Sequence, residues 1–188
     1  MLKDVELLIT GGTIDSEWAP SKDTVVPSAC SSVKPYIEKF LKPDFPIYEN
    51  IIAMADSRDI DDNVRAKILK AIIESRSDNI IITHGTYTMA QTGKYLKEKI
   101  ALDKRLKENK KIILLGSFYP LGFSQSDAPF NLGYAFGAIE YLSPNVYVAM
   151  NSRLFDPYEV GKDVQNGKFI IDASKGLRSS EKTFGERA

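Results

Sequence analysis

Two threonines, Thr13 and Thr86, close the same local pattern of three aliphatics, Thr, one variable residue, Gly and Thr. It reads Leu7-Leu8-Ile9-Thr10-Gly11-Gly12-Thr13 in one copy and Ile80-Ile81-Ile82-Thr83-His84-Gly85-Thr86 in the other. A hydroxyl is a weak nucleophile until a base removes its proton, so either threonine would need a relay, which could include the other threonine and a lysine of lowered pKa. Gly11 and Gly12 permit backbone geometry that a side chain would obstruct, so free N–H groups can point at a carboxylate or an oxyanion. Taken alone, Thr-Gly-Gly-Thr reads equally well as a tight turn leaving a buried strand. The echo at Thr86 favours a shared crevice, because residues just past buried strands are where open α/β sheets build their sites.

Other chemistries find no support. There is no Gly-x-Ser-x-Gly elbow, and Gly116-Ser117-Phe118 lacks the second glycine. Gly93-Lys94 is wrongly spaced for a phosphate-binding loop, and Tyr95 stands where Ser or Thr is needed. The Rossmann glycine fingerprint is missing. His84 is the single histidine, which rules out a His-based metal cluster; it could act as a lone base, but reads better as a strand-end residue hydrogen-bonded to backbone. Cys30 is alone, so neither an intrachain disulfide nor a cysteine metal site is available. The 25 basic and 25 acidic residues are interspersed and cancel, leaving no basic stripe for nucleic acid. No run approaches the ~20 apolar residues of a membrane span and no signal-type stretch opens the chain. A cytoplasmic, cofactor-free protein without metal is the expectation.

The elements that must position these groups alternate along the chain. With 188 residues and 43% hydrophobic content, one domain over residues 1–173 is expected, followed by a polar tail over 174–188. Strands are predicted at 5–10, 45–52, 79–83, 111–115 and 145–150, with a last short one at 169–171. Helical spacing joins Val33, Ile37, Phe40 and Leu41, and again Val64, Ile68, Leu69, Ile72 and Ile73, with Asp59 or Asp61 as the cap of the second group. One helix is predicted over 89–106, and another from near Pro129 through Ile139. Alternating strands and helices give an α/β fold: a three-layer, flavodoxin- or Rossmann-like parallel sheet with helices on both faces. Strand order is not readable from one sequence.

At this point the residues carry a specific resemblance. Thr10-Gly11-Gly12-Thr13-Ile14 and His84-Gly85-Thr86-Tyr87-Thr88-Met89 resemble the two signature stretches of the bacterial-type L-asparaginase family. Asp56-Ser57-Arg58-Asp59-Ile60 is similar to the family's substrate-binding turn, and the segment from Gly116 to Ser126-Asp127-Ala128-Pro129-Phe130-Asn131-Leu132 resembles another of its blocks. Val148-Ala149-Met150-Asn151, with Asp156 and Lys162, looks like the stretch that supplies a catalytic lysine. The resemblance, to the N-terminal domain of the family in a short form, implies a metal-free amidohydrolase with Thr13 as nucleophile and Thr86 and Lys162 as proton relay. It implies that Ser57 holds the substrate carboxylate, with Gly12, Arg58, Gly85 and Tyr87 around the ligand, and that backbone N–H groups near Gly12 and Thr86 meet the oxyanion. For Ser57, helix capping is the competing role; for Lys162, an ordinary surface position is.

Three departures shape the expectation. Tyr87 stands where the family carries an Asp that contacts the substrate α-ammonium; residues 14–32 hold Trp18 but no Tyr; and the family's smaller C-terminal domain has no counterpart in this sequence. Arg58 adds a cation where the family often has Gln, Ser or Asn. The leading expectation is hydrolysis of a small ω-amide, asparagine or a related carboxylate-bearing amide, with a preference for one that need not carry a free α-amine. Two alternatives stay open: a non-catalytic ligand-binding or dimer-scaffold protein that keeps the cleft, and, ranked lower, an amidotransferase subunit. Phe118, Tyr119, Phe123, Tyr134, Phe136 and Tyr141 exceed what one helix face needs, which points to a homodimer or higher homo-oligomer, although ordinary core packing suits each of them individually.

Overall fold

The computed structural model describes residues 2–172; the tail expected over 174–188 lies outside the described residues. In chain order the first half contains β1 (Val5–Gly11), β2 (Ser16–Ala19), β3 (Thr24–Pro27), α1 (Val33–Tyr36), β4 (Ile47–Ala55) and α2 (Asp62–Glu74). The second half contains β5 (Asn79–Thr83), α3 (Met89–Ala101), α4 (Lys104–Asn109), β6 (Lys111–Leu115), α5 (Ala128–Ile139), β7 (Asn145–Met150), β8 (Arg153–Phe155), β9 (Val160–Asp163) and β10 (Lys168–Ile171).

Six strands form the central sheet in the order β4-β1-β5-β6-β7-β8. The first five are parallel and β8 returns antiparallel on β7. The aliphatic runs explain the layers, because alternate side chains of a strand point to opposite faces. Leu8, Ile80, Ile82, Ile112, Leu114, Val146 and Val148 enter one core with α2, α3 and α4. Leu7, Ile9, Ile81, Ile113, Leu115 and Ala149 enter the other with α1 and α5. The expected α/β architecture is therefore present, with helices on both faces.

Local chemistry sets the ends of these elements. Asp61 caps α2 by accepting from the Val64 N–H at 2.9 Å, while Asp56 caps the short turn before it by accepting from the Arg58 N–H at 2.8 Å. The helix predicted over 89–106 is two helices, because Asp103 takes an extended backbone and its carboxylate accepts from the Leu106 N–H, starting α4 afresh. The first helical group, centred on Val33 and Ile37, continues from α1 into a π-helical turn at Ile37–Leu41. Residues 14–32 contain the β2–β3 hairpin, in which Trp18 pairs with Val25. Asn151 and Ser152 both have positive φ, the signature of a tight two-residue hairpin turn, and reverse the chain from β7 into β8. β9 and β10 pair as a third hairpin with Lys162 opposite Phe169.

This topology fixes where a ligand can sit. After β1 the chain crosses to β4 on one side, and after β4 it crosses back to β5 on the other, so the carboxyl ends of β1 and β5 flank the point where the winding reverses. Thr13 and Thr86 follow those two strand ends.

Candidate active site

β1 ends on Gly11 and is followed by Gly12, both with φ 84°, and the Gly12 N–H donates to the Ala55 carbonyl at 2.8 Å. That bond ties the turn carrying Thr13 to the end of β4, while Gly12 itself lies against the backbone of Gly85. Half-buried Thr13 therefore leaves the sheet beside the turn that carries Thr86. Thr13, Gly12, Ser16, Asp56, Arg58 and Tyr87 line a cavity of about 420 Å³, closed on another side by Phe118 and Tyr119. A larger cavity of about 530 Å³ lies near the amino ends of the strands, lined by Glu6, Ser75 and Arg76 among others, and brings no threonine and amine together.

Thr86 is buried, and its Oγ1 accepts a hydrogen bond from the Lys162 ammonium at 2.7 Å. Lys162 comes from β9, ordered by β10 and by the Asn151 side chain, which accepts from the Phe169 N–H at 2.8 Å. Its Nζ stands 3.9 Å from the centre of the Tyr87 ring and 5.1 Å from that of Phe118. Burial pushes the amine below the ordinary lysine value; the nearby Asp56 carboxylate opposes that and the Arg58 guanidinium adds to it. A lysine of lowered pKa hydrogen-bonded to a threonine can take a proton from a neighbouring hydroxyl.

Ser57 is 1% exposed and lies beneath the second turn. Its Oγ accepts from the Tyr87 N–H at 3.2 Å, and its carbonyl accepts from the Thr88 hydroxyl at 2.5 Å. Of the expected ligand contacts, Gly12, Arg58 and Tyr87 line the cavity, whereas Ser57 and Gly85 are not among its lining residues and lie against each other. Arg58 grips Asp56 through two parallel bonds, Nε to Oδ1 at 3.0 Å and Nη2 to Oδ2 at 2.8 Å. The guanidinium holds the Asp56 carboxyl below its usual range. Ser16, Val25, Pro27 and Pro120 line the cavity with no role given from sequence, and Phe118 lines it where self-association was expected.

His84 takes no part in lining the cavity. It is fully buried, its Nδ1 2.8 Å from the Gly85 carbonyl and its Nε2 2.9 Å from Thr92 Oγ1. A carbonyl can only accept, so Nδ1 carries the proton and Nε2 accepts from Thr92. Burial pushes the imidazole down to about 4.

The wall formed by residues 116–120 is held by Asp127. Its carboxylate accepts from the Phe118 and Tyr119 N–H groups and from Asn131 Nδ2. Asn131 also donates to the Gly116 carbonyl and accepts from the Asn151 N–H, joining α5 to the ends of β6 and β7. Phe118, Tyr119 and Phe123 thus serve the cavity; Tyr134 and Phe136 pack against the core; Tyr141 is 84% exposed.

A family model for the N-terminal domain of asparaginase matches residues 4–168. The chain belongs to the asparaginase family. It is 30% identical over 173 residues to the probable periplasmic L-asparaginase of Haemophilus influenzae, covering 86% of this chain and 46% of that one. It is also 30% identical over 172 residues to L-asparaginase 2 of Escherichia coli strain K12, covering 86% and 47%. The thermostable L-asparaginase from Thermococcus kodakarensis superposes with a TM-score of 0.75 at 27% identity, over 89% of this chain and 51% of that one. This asparaginase-family chain thus spans about half the length of the relatives it matches. One relative is named periplasmic, and a structural neighbour from Campylobacter jejuni is named a probable cytoplasmic enzyme (TM-score 0.66, 26% identity, 85% of this chain and 48% of that one), so kinship assigns this asparaginase-family member no compartment. Among the described residues no helix is long and apolar enough to cross a membrane.

Proposed function

We propose that the protein is an amidohydrolase that converts a small carboxylate-bearing ω-amide, asparagine or a relative of it, to the acid and ammonia. The observation that carries this reading is the 2.7 Å hydrogen bond between Lys162 and Thr86, with the Lys162 amine against Tyr87 and Phe118, two residues that line the same cavity as Thr13. In the proposed course, Thr13 Oγ1 attacks the amide carbon and its proton passes to the Thr86–Lys162 relay. Backbone N–H groups at the Gly12 and Thr86 turns stabilise the oxyanion, commonly the largest catalytic term. Ammonia leaves with a proton returned by the relay, and water then opens the acyl-enzyme. Every proton in this cycle is carried by these side chains and water.

A second reading, a cleft kept for binding alone, is favoured by one observation: the Tyr87 ring lies directly on the Lys162 amine. Ammonia release measured on a panel of small amides separates the two. Thr13→Ala should abolish release while the far-ultraviolet spectrum and unfolding midpoint stay unchanged; release that survives the substitution would refute Thr13 as nucleophile. Self-association and a cytoplasmic setting belong to the same proposal. Phe130 and Tyr141 are left 60% and 84% exposed, and sedimentation of the full chain tests whether a second copy covers them.

A further inference from the structure

We infer that the site selects ω-monoamides of dicarboxylic acids that lack a cationic α-amine, the amine being either acylated or absent. The chemistry rests on the amidohydrolase reading, whereas the selectivity rests on the charges around the cavity. Asp56 is the one carboxylate among the lining residues, and it is already engaged. Its Oδ1 accepts from both the backbone N–H and Nε of Arg58, and its Oδ2 accepts from Nη2. Two cations flank the Tyr87 ring, Lys162 at 3.9 Å and Arg58 at 5.0 Å. The electron-rich ring that could have attracted an ammonium is thereby in use. An incoming α-ammonium would meet two positive groups and a neutralised carboxylate.

A substrate carboxylate meets the opposite situation. A guanidinium has five N–H donors. Asp56 engages two of the side-chain nitrogens, Nε and Nη2, which leaves Nη1 and the second Nη2 proton. The Arg58 side chain is 68% exposed, so those donors are within reach of a ligand. The remaining wall is apolar: Val25 and Pro27 from β3, with Pro120 and Phe123 opposite. An acyl group buries surface against this wall, whereas an ammonium held there is stripped of water without a partner. The volume of about 420 Å³ also falls in the range of pockets for ligands larger than a free amino acid, roughly 300–1,000 Å³.

Calorimetric titration of the full-length Thr13→Ala chain reads this selectivity without turnover. Succinamate, N-acetylasparagine and asparagine are the three probes. Binding of either of the first two at least about tenfold tighter than asparagine is expected, and their relative affinities tell an absent amine from an acylated one. Asparagine binding equally or more tightly, or none of the three binding, overturns the inference. Tyr87→Asp and, separately, Arg58→Gln are expected to raise asparagine affinity to parity, the first by adding a carboxylate and the second by freeing Asp56. Arg58 is on the surface, so its variant decides the matter if Tyr87→Asp fails to fold; asparagine affinity unmoved in folded variants also overturns the inference. Ammonia release by the unsubstituted chain on the same three amides is read separately, so that failure of the hydrolase reading is distinguishable from failure of the selectivity.

Discussion

Gly12 and Gly85, the equivalent glycines of the two echoing strand-end motifs, are in backbone contact: a Cβ on Gly12 would stand 2.4 Å from both Cα and N of Gly85. Gly12 also holds φ 84° and ψ −174°, a conformation that costs any other residue of the order of 1–3 kcal/mol. The two turns bearing Thr13 and Thr86 can approach this closely because Gly12 has no side chain, whereas a Cβ on Gly85 would meet Ser57, 2.6 Å from its Cβ.

Gly12→Ala is therefore expected to destabilise the fold by about 3 kcal/mol or more, from the backbone conformation and the overlap with Gly85 together, and to abolish ammonia release. Gly133→Ala is the contrasting substitution. Nothing lies within 4 Å of a Cβ there, and in the middle of α5 an alanine should stabilise by about 0.5–1 kcal/mol. Urea unfolding of both variants checks the pair; equal effects would remove the steric account.

Lys162 lies below its ordinary value of 10.5 mainly through burial, so the rising limb of a pH–rate profile governed by the free amine should also lie below that value. Arg58→Gln removes a nearby cation and unmasks Asp56, and both changes favour the ammonium form. The limb is expected to move to higher pH in that variant. A limb that stays put, or moves down, would show that another group governs it.

The fold was largely legible because uninterrupted aliphatic runs leave few options. The strands at 79–83, 111–115 and 145–150 occur at their predicted bounds, while β1 and β4 run on to Gly11 and Ala55. What escaped depended on tertiary context. Nothing local in residues 16–27 marks a hairpin, since Pro20 to Asp23 form a four-residue turn rather than a two-residue glycine signal. The break at Asp103 interrupts what reads in sequence as one continuous helical pattern, and its capping carboxylate is seen only in three dimensions. At the candidate site, the echo brought Thr13 and Thr86 into view, but Lys162 was found by resemblance, because spacing cannot tell which of many lysines folds back onto a threonine. The pairing of Asp56 with Arg58 and the stacking of Tyr87 on Lys162 are three-dimensional facts that no linear pattern encodes.

Asp15 offers a test of the turn after Thr13. It is 1% exposed; its Oδ1 accepts from Ser31 Oγ at 2.9 Å and from the Ser32 N–H at 3.0 Å, while the buried Oδ2 has no partner among the described residues. Burial pushes its carboxyl up, with Glu49 adding to this and the two hydrogen bonds opposing it. The folded chain therefore keeps this proton where the unfolded chain has lost it. Stability from Asp15 is full below the ordinary value of 3.8 and is lost as pH rises through the higher folded value. Asp15→Asn keeps the Oδ1 acceptor without the charge, so its gain in Tm over the parent should be larger at about pH 7.5 than at about pH 4.5. A gain that is no larger at the higher pH would show that Asp15 is not a burdened carboxylate.

His84 titrates with the opposite sign. Its folded value of about 4 lies below the ordinary 6.5, since the imidazole is buried and Nε2 accepts from Thr92. The unfolded chain takes up a proton near pH 6.5 that the folded chain refuses until about pH 4. Stability is thus full above 6.5 and falls across that window, by roughly 3 kcal/mol at 1.36 kcal/mol per pH unit of displacement. Because His84 is the single histidine, its C2 proton gives one unambiguous NMR resonance. That resonance should stay at its neutral position down to about pH 5, and the ammonia-release profile should show no limb near 6.5. A midpoint close to 6.5 would mean that the ring is solvated, and that it does not hold the Gly85 carbonyl in place beside Thr86.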